Sequence, residues 1–422
     1  MSIKFRLILM NFMQYFVWGA WLLTIGTYCS HTKHWSFTQF GAIFSTMGIS
    51  SIIMPALTGI IVDKFINAER LYGLLHILGA LVLFSLPLVN DPTVFFWIML
   101  LNMAFYMPTI SLSITVAYSA LKQDNIDVVK EYPPIRTWGT VGFIAALWTT
   151  SISGNESSPN QFYIASAVAL ALGVYSFTLP ACPPRLKIAG SRSLVNLLGL
   201  NAFRLFKTSK FAIFFIFSMF LGAALQLTNA YGDTFIKGFK DIPAYKDLFA
   251  VKYSAIIMSV SQISETLFIL AIPFFLRKFG VKYVMLISMV AWVLRFGLFA
   301  YGDPAAGLWM ILLSCVIYGM AFDFFNISGS LFIETQVSPE IRGSAQGVFM
   351  MMVNGFGALF GSFASGVIID KYFTLPDHSN NWHGIWLSFA GYALVIALIF
   401  PFVFRNKYSR ITPSVTHIPD HV

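Results

Sequence analysis

Twelve stretches of this chain are apolar for long enough to cross a lipid bilayer, and they leave little sequence for anything else. They fall near residues 7–29, 41–62, 71–89, 94–118, 135–152, 162–180, 211–232, 252–276, 281–301, 308–332, 344–369 and 385–404. A helix rises about 1.5 Å per residue, so runs of this length match the ~30 Å of bilayer hydrocarbon. In that medium each segment must satisfy its own backbone N–H and C=O groups, and for runs this long the solution is an α-helix. The sequence therefore predicts an all-α membrane protein of twelve transmembrane helices. Composition agrees: 57% of the residues are hydrophobic and only 11% charged, where a soluble domain carries about a quarter charged residues.

The net charge of +9 has the sign of a nucleic-acid binder, but its placement follows a membrane. If the amino terminus is cytoplasmic, the inner segments hold most of the basic residues, among them Lys4, Arg6, Lys64, Arg70 and the run from Arg185 to Lys210. The outer loops hold only Lys33, Lys237, Lys240, Lys246, Lys252 and Lys371. By the positive-inside rule both termini are cytoplasmic, and the basic residues are an orientation signal and a contact for anionic headgroups. The first apolar run exceeds a signal-peptide core and no small-residue cleavage site follows it, so it reads as an uncleaved helix. Cys29, Cys182 and Cys315 fall at an outer end, an inner loop and a helix interior, which implies neither a disulfide nor a metal site. There is no Walker loop and no nucleophile–base arrangement, so neither ATP drive nor an enzyme is indicated, and no cofactor is expected.

The chain divides in the middle. Residues 1–180 hold the first six spans and 211–404 the next six. Between them lies a basic linker over 181–210, interrupted by Pro183, Pro184 and Gly190, and a tail follows over 405–422. Val62-Asp63-Lys64-Phe65 echoes Leu276-Arg277-Lys278-Phe279 at an offset of 214, and Ile135-Arg136 echoes Ile341-Arg342 at 206. Two echoes at nearly equal offset suggest a duplicated six-helix unit, with substrate held between the copies and one copy rocking against the other. Gly59 to Lys64, with Arg70 beyond, looks like the loop signature of the major facilitator superfamily. That likeness implies that Asp63 latches one conformation. The signature is shortened here, with Asn67 at its second glycine position, and an ordinary polar turn is the other reading.

Polar groups deep in the spans nominate a site. The eighth span carries Gln262 and Glu265 one turn apart. The tenth carries Tyr318, Phe322, Asp323 and Asn326, the fifth Arg136, Thr140 and Phe143, and the seventh Gln226 and Asn229 with Asp233 a turn further out. Residues three or four apart share a helix face, and amides or carboxylates in hydrocarbon need partners or water. Phe143 and Phe322 suit a flat ring; the amides donate and accept, which suits a neutral ligand with mixed edges. The bland readings are packing for the phenylalanines, interhelical glue for the amides and an interfacial anchor for Arg136. Arg295, inside the ninth span, reads either as snorkelling outward or as pairing with a carboxylate of the tenth span. Glu265 and Asp323 each sit roughly 20 Å from the outer helix ends, and two buried acids at one level point to a carried proton. Trp18, Trp21 and Tyr106 either line the cavity or pack.

Four segments carry a family resemblance: Phe105-Tyr106-Met107-Pro108-Thr109, Pro133 through Phe143, Gln262 through Thr266, and Tyr318 through Ser330. With these, and over almost its whole length, the chain resembles the bacterial nucleoside:proton symporters, the nucleoside and xanthosine permease group of the major facilitator superfamily. The resemblance implies a bacterial inner-membrane protein that takes up nucleosides with protons by alternating access. Nucleosides, protons and the lipid bilayer are the expected partners, and a monomer is the expected working form. The resemblance also implies nucleoside contacts at Arg136, Thr140, Phe143, Gln226, Asn229, Gln262, Glu265, Tyr318 and Phe322, with Asp323 required for transport. The outer connection from Gly232 to Lys252 matches least. A sugar:proton symporter would use similar amides and acids, and a non-transporting nucleoside receptor is the alternative outside the transporter class.

Overall fold

The apolar runs fold as helices in the computed structural model, which describes residues 2–184, 200–376 and 379–404. Helix α1 starts at Ile3–Gly19, where the Ser2 hydroxyl accepts from the Phe5 N–H, and continues through Ile25–Thr27 into a widened turn at Tyr28–Thr32. Helix α2 (Phe37–Lys64) opens on a full capping box, with Ser36 and Gln39 satisfying each other's backbone N–H groups. Next come α3 (Ala68–Ser85), α4 (Pro92–Gln123), α5 (Val128–Ile152) and α6 (Asn160–Ser176). Helix α4 is started by Asp91, which accepts from Thr93 and Val94, and by Pro92, which has no N–H to orphan.

Helix α7 spans Ser209–Gly238. The helical stretch Ser254–Tyr301 is interrupted at Gly280, whose φ of 75° suits glycine and strains other residues. It therefore comprises α8 over 254–279 and α9 over 281–301. Helix α10 is Leu308–Gln336. Helix α11 runs through Pro339–Met350, a widened turn at Met351–Gly357 and Ala358–Tyr372, and α12 is Trp382–Val403. Among the described residues there is no β-strand, only a single bridge between Thr374 and Asn380, and eight helical stretches are long and apolar enough to cross a membrane. Helices α1 and α6 are shorter, at 17 residues each in their regular part, and α5 carries Lys130, Glu131 and Arg136 in its first turns.

Helix α7 runs past residue 232, where the sequence placed its end, and so takes in Asp233 and Lys237. Residues 185–199 of the expected linker and the tail over 405–422 lie outside the described residues. The described end of the linker, Leu200–Lys207, is a 3-10 helix whose Phe206 stacks on Phe215 of α7 at 5.0 Å.

Glycine sets two close crossings that position the site. A side chain at Gly142 of α5 would stand 2.1 Å from the Phe12 carbonyl of α1, and one at Gly319 of α10 would stand 2.6 Å from the Ser264 carbonyl of α8. Gly319→Val forces α8 and α10 apart and is expected to destabilise the protein by about 1–3 kcal/mol. A thermal melt of the purified protein checks this, and an unchanged melt would show that the crossing tolerates a side chain.

The connections 33–36, 153–159, 239–253, 373–376 and 379–381 lie at one end of the bundle, distal to the first residues of α1. Between described residues, the hydrogen bonds joining α1–α6 to α7–α12 lie towards this end. Thr27 donates to Asp233 at 2.5 Å, and Trp148 Nε1 donates to Ser259 Oγ at 2.9 Å. Asp370 accepts from the Phe37 and Thr38 N–H groups at 2.9 and 2.6 Å. Glu156 accepts from the Ala255 N–H at 3.0 Å, from Ser254 at 3.3 Å and from Lys237. The distal end is closed.

Candidate substrate site

On α10, Tyr318 and Phe322 stand one turn apart with rings nearly parallel, 5.8 Å between centroids and 10° between planes. Tyr318 is buried and Phe322 half-buried. Asp323 follows, buried, with Oδ2 lacking any hydrogen-bond partner. On α8, Gln262 is buried and its Oε1 also lacks a partner, while Glu265 one turn on is half-buried. Because Gly319 lets α10 lie against α8, Glu265 and Asp323 come close enough for their charges to act on each other and on the Tyr318 hydroxyl.

The opposite wall comes from α1 and α5. The Arg136 guanidinium lies 4.0 Å over the Tyr15 ring, and its charge reaches Glu265. That proximity brings together groups nearly 130 positions apart, from both sides of the chain's midpoint. Phe143 is buried and meets Trp18 edge-on at 6.5 Å; Trp18 in turn meets Tyr106 at 5.6 Å. Trp18 and Tyr106 therefore belong with Phe143, whereas Trp21 packs on Phe162 at 6.3 Å. No ring contact joins Phe143 to Phe322, so the two phenylalanines stand on separate walls. Thr140 and Asn229 are half-buried, and Gln226 is buried with Oε1 unpartnered. Three orphaned acceptors, on Gln226, Gln262 and Asp323, favour a ligand rich in O–H and N–H donors, since a buried acceptor left unpaired costs about 1–3 kcal/mol.

Other residues carry the site without having been nominated for it. Gln14 is the hub of a fully buried network: its Nε2 donates to Thr109 at 2.8 Å, and its Oε1 receives Tyr72 and His76, each at 2.7 Å. Its carbonyl accepts from Tyr106 at 2.8 Å, which holds that ring against Trp18. The signal was a glutamine and a histidine inside apolar runs. Asp63, by contrast, is exposed and makes no hydrogen bond or ion pair among the described residues. In the same connection it is Glu69 that docks, accepting from the Cys182 N–H at 2.7 Å. Among the described residues no group of His, Cys, Asp and Glu could hold a metal ion.

An all-helical bundle with membrane-length apolar spans, sealed at one end and lined between its walls by rings, amides and acids, is a membrane transporter. The profile described as Nucleoside H+ symporter matches residues 1–409, and the chain belongs to that family. Proton-coupled nucleoside transport is the family's activity, so the protein is a transporter and not an enzyme. The chain is 52% identical to the xanthosine permease of Escherichia coli (strain K12) over 99% of both chains. It is 47% identical to the nucleoside permease NupG of the same strain, over 99% of this chain and 100% of the relative. Crystal structures of nucleoside transporter NupG superpose with TM-scores of 0.93 and 0.90, at 47% and 48% identity, each covering 96% of this chain and all of the other.

Proposed function

We propose that the protein takes up nucleosides with protons across the bacterial inner membrane, by alternating access between two six-helix halves that together make twelve spans. Phe143 and Phe322 hold the base from opposite walls. Gln226, Asn229 and Gln262 read base edges and ribose hydroxyls, with Glu265, Arg136, Thr140 and Tyr318 completing the contacts. Asp323 links proton occupancy to rocking, because a protonated acid crosses a dehydrated, occluded state at lower cost than an ionised one. The observation that carries this reading is the pair Glu265 and Asp323 beside the Tyr318–Phe322 stack, with unpartnered acceptors on the same helices.

Both termini are cytoplasmic, which makes the closed distal end the outer one and this conformation inward-facing. Asp63, on the inner side, makes no hydrogen bond or ion pair among the described residues in this state and latches the inner face in the other. The protein works as a monomer and needs no cofactor beyond the proton gradient. Uptake of labelled uridine is expected to be competed by uridine, adenosine and xanthosine, but not by ribose, hexoses or free bases at equal concentration. Inhibition by sugars alone would replace this reading with sugar transport. Loss of uptake on adding a protonophore is the accompanying expectation.

A further inference from the structure

Arg295 lies in the second half of α9, a helix that contributes nothing to the site, and is completely buried. No described acid pairs with it. A buried cation without a counter-charge is expensive, so its surroundings need a reason. Nε donates to Thr228 Oγ1 at 3.3 Å, Nη1 to the Ser314 carbonyl at 2.5 Å and Nη2 to Ser261 Oγ at 3.4 Å. Ser314 Oγ donates back to the Arg295 carbonyl at 2.9 Å. The guanidinium also lies 4.7 Å over the Tyr318 ring and 5.2 Å over that of Phe299.

Those partners stand next to the site on all three of its carboxy-terminal helices. Thr228 lies between Gln226 and Asn229 on α7, Ser261 precedes Gln262 on α8, and Ser314 is one turn before Tyr318 on α10. We propose that Arg295 is a positioning residue of the substrate site: its rigid fork holds α7, α8 and α10 in register and presents Tyr318 to the ligand. Only arginine offers a planar set of donors that can bond to three helices while its face lies on a ring. The titratable groups near it are Cys315 and Tyr318, with Glu265 and Asp323 beyond the ring. From α7 and α8 it meets neutral Thr228 and Ser261, and Arg136 is the cation that acts on Glu265 from the other wall.

The proposal rests on the site assigned above, and full-length protein in proteoliposomes tests it, with uridine as the probe. Arg295→Lys keeps the charge and loses the fork, so counterflow KM is expected to rise about tenfold with an unmoved pH profile. Arg295→Gln loses both, so KM is expected to rise further, again with an unmoved pH profile. Thr228→Val, which cuts one tether without touching charge, covers the case in which Arg295→Gln does not fold; it is expected to raise KM alone. Equal losses of Vmax in the Arg295 variants with KM unmoved would reduce Arg295 to a scaffold and overturn the proposal, as would wild-type behaviour. If Tyr318→Ala and Phe322→Ala leave uridine affinity unchanged, the site itself is misassigned; if they weaken it and the Arg295 variants do not, only this proposal fails.

Discussion

Protein carrying Asp323→Asn is expected to exchange nucleoside across a membrane yet fail to accumulate it against a gradient. Each unit of pH difference is worth about 1.4 kcal/mol per coupled proton, or roughly tenfold in accumulation, and the variant should lose this factor entirely. Asparagine keeps the shape and an acceptor at a position that is buried and already short of a partner, but it has no proton to release. Glu265→Gln has a different expectation. Glu265 is half-buried, faces Arg136 across the site and lies within reach of Asp323. Its amide substitute keeps the shape but loses the charge that faces Arg136, so affinity should fall while coupling through Asp323 persists. Counterflow, pH-driven uptake and substrate-driven alkalinisation in the same proteoliposomes separate binding from coupling. Proton uptake intact in both variants would remove the acids from the coupling step.

The spans were legible because hydrocarbon imposes one length and one kind of element, and apolar runs report both. Their ends were less so, and one of them mattered. Ending the seventh span near residue 232 left Lys237 in the outer loop and Asp233 at the helix edge, whereas α7 continues to Gly238 and buries the Asp233 carboxylate against Thr27. The faces of α8 and α10 were readable from spacing alone, since Gln262 and Glu265, or Tyr318 and Phe322, repeat at the helical period. What meets those faces was not. Spacing within one helix says nothing about which backbone passes close to Gly319, or that Arg295 reaches back through Ser261 and Thr228. Glu156 was hidden for a further reason. It sits in a short polar connection that looks solvated, and its burial arises only when α7 and α8 close over it.

That closure has a form that bears on the two-half reading. Glu156, just beyond α5, accepts from the Ala255 N–H and the Ser254 hydroxyl at the start of α8; Asp370, near the end of α11, accepts from the first N–H groups of α2. Each carboxylate thus caps a helix across the interface, where the exposed N–H groups and the helix dipole both favour an anion. The two acids are 214 positions apart, the same offset as the echo between Val62–Phe65 and Leu276–Phe279. The distal seal is therefore one contact made twice, with the roles of the amino- and carboxy-terminal helices exchanged.

Charge-assisted caps of this kind are worth about 1–3 kcal/mol each, and a shift of about 3 kcal/mol moves a two-state equilibrium more than a hundredfold. The double variant Glu156→Gln with Asp370→Asn is accordingly expected to open the distal end in most molecules, while either single variant shifts the population partway. Spin labels at Asn160→Cys and Ala306→Cys, both exposed and on opposite sides of the seal, report the change as a longer distance in double electron–electron resonance. Cys29, Cys182 and Cys315 are all buried and do not compete for label. A distance distribution unchanged in the double variant would mean that the seal is held by the close packing of α2 on α11, where Gly366 meets the Phe37 carbonyl and Gly41 the Ser362 carbonyl, and that the two carboxylates merely settle into a gap already shut.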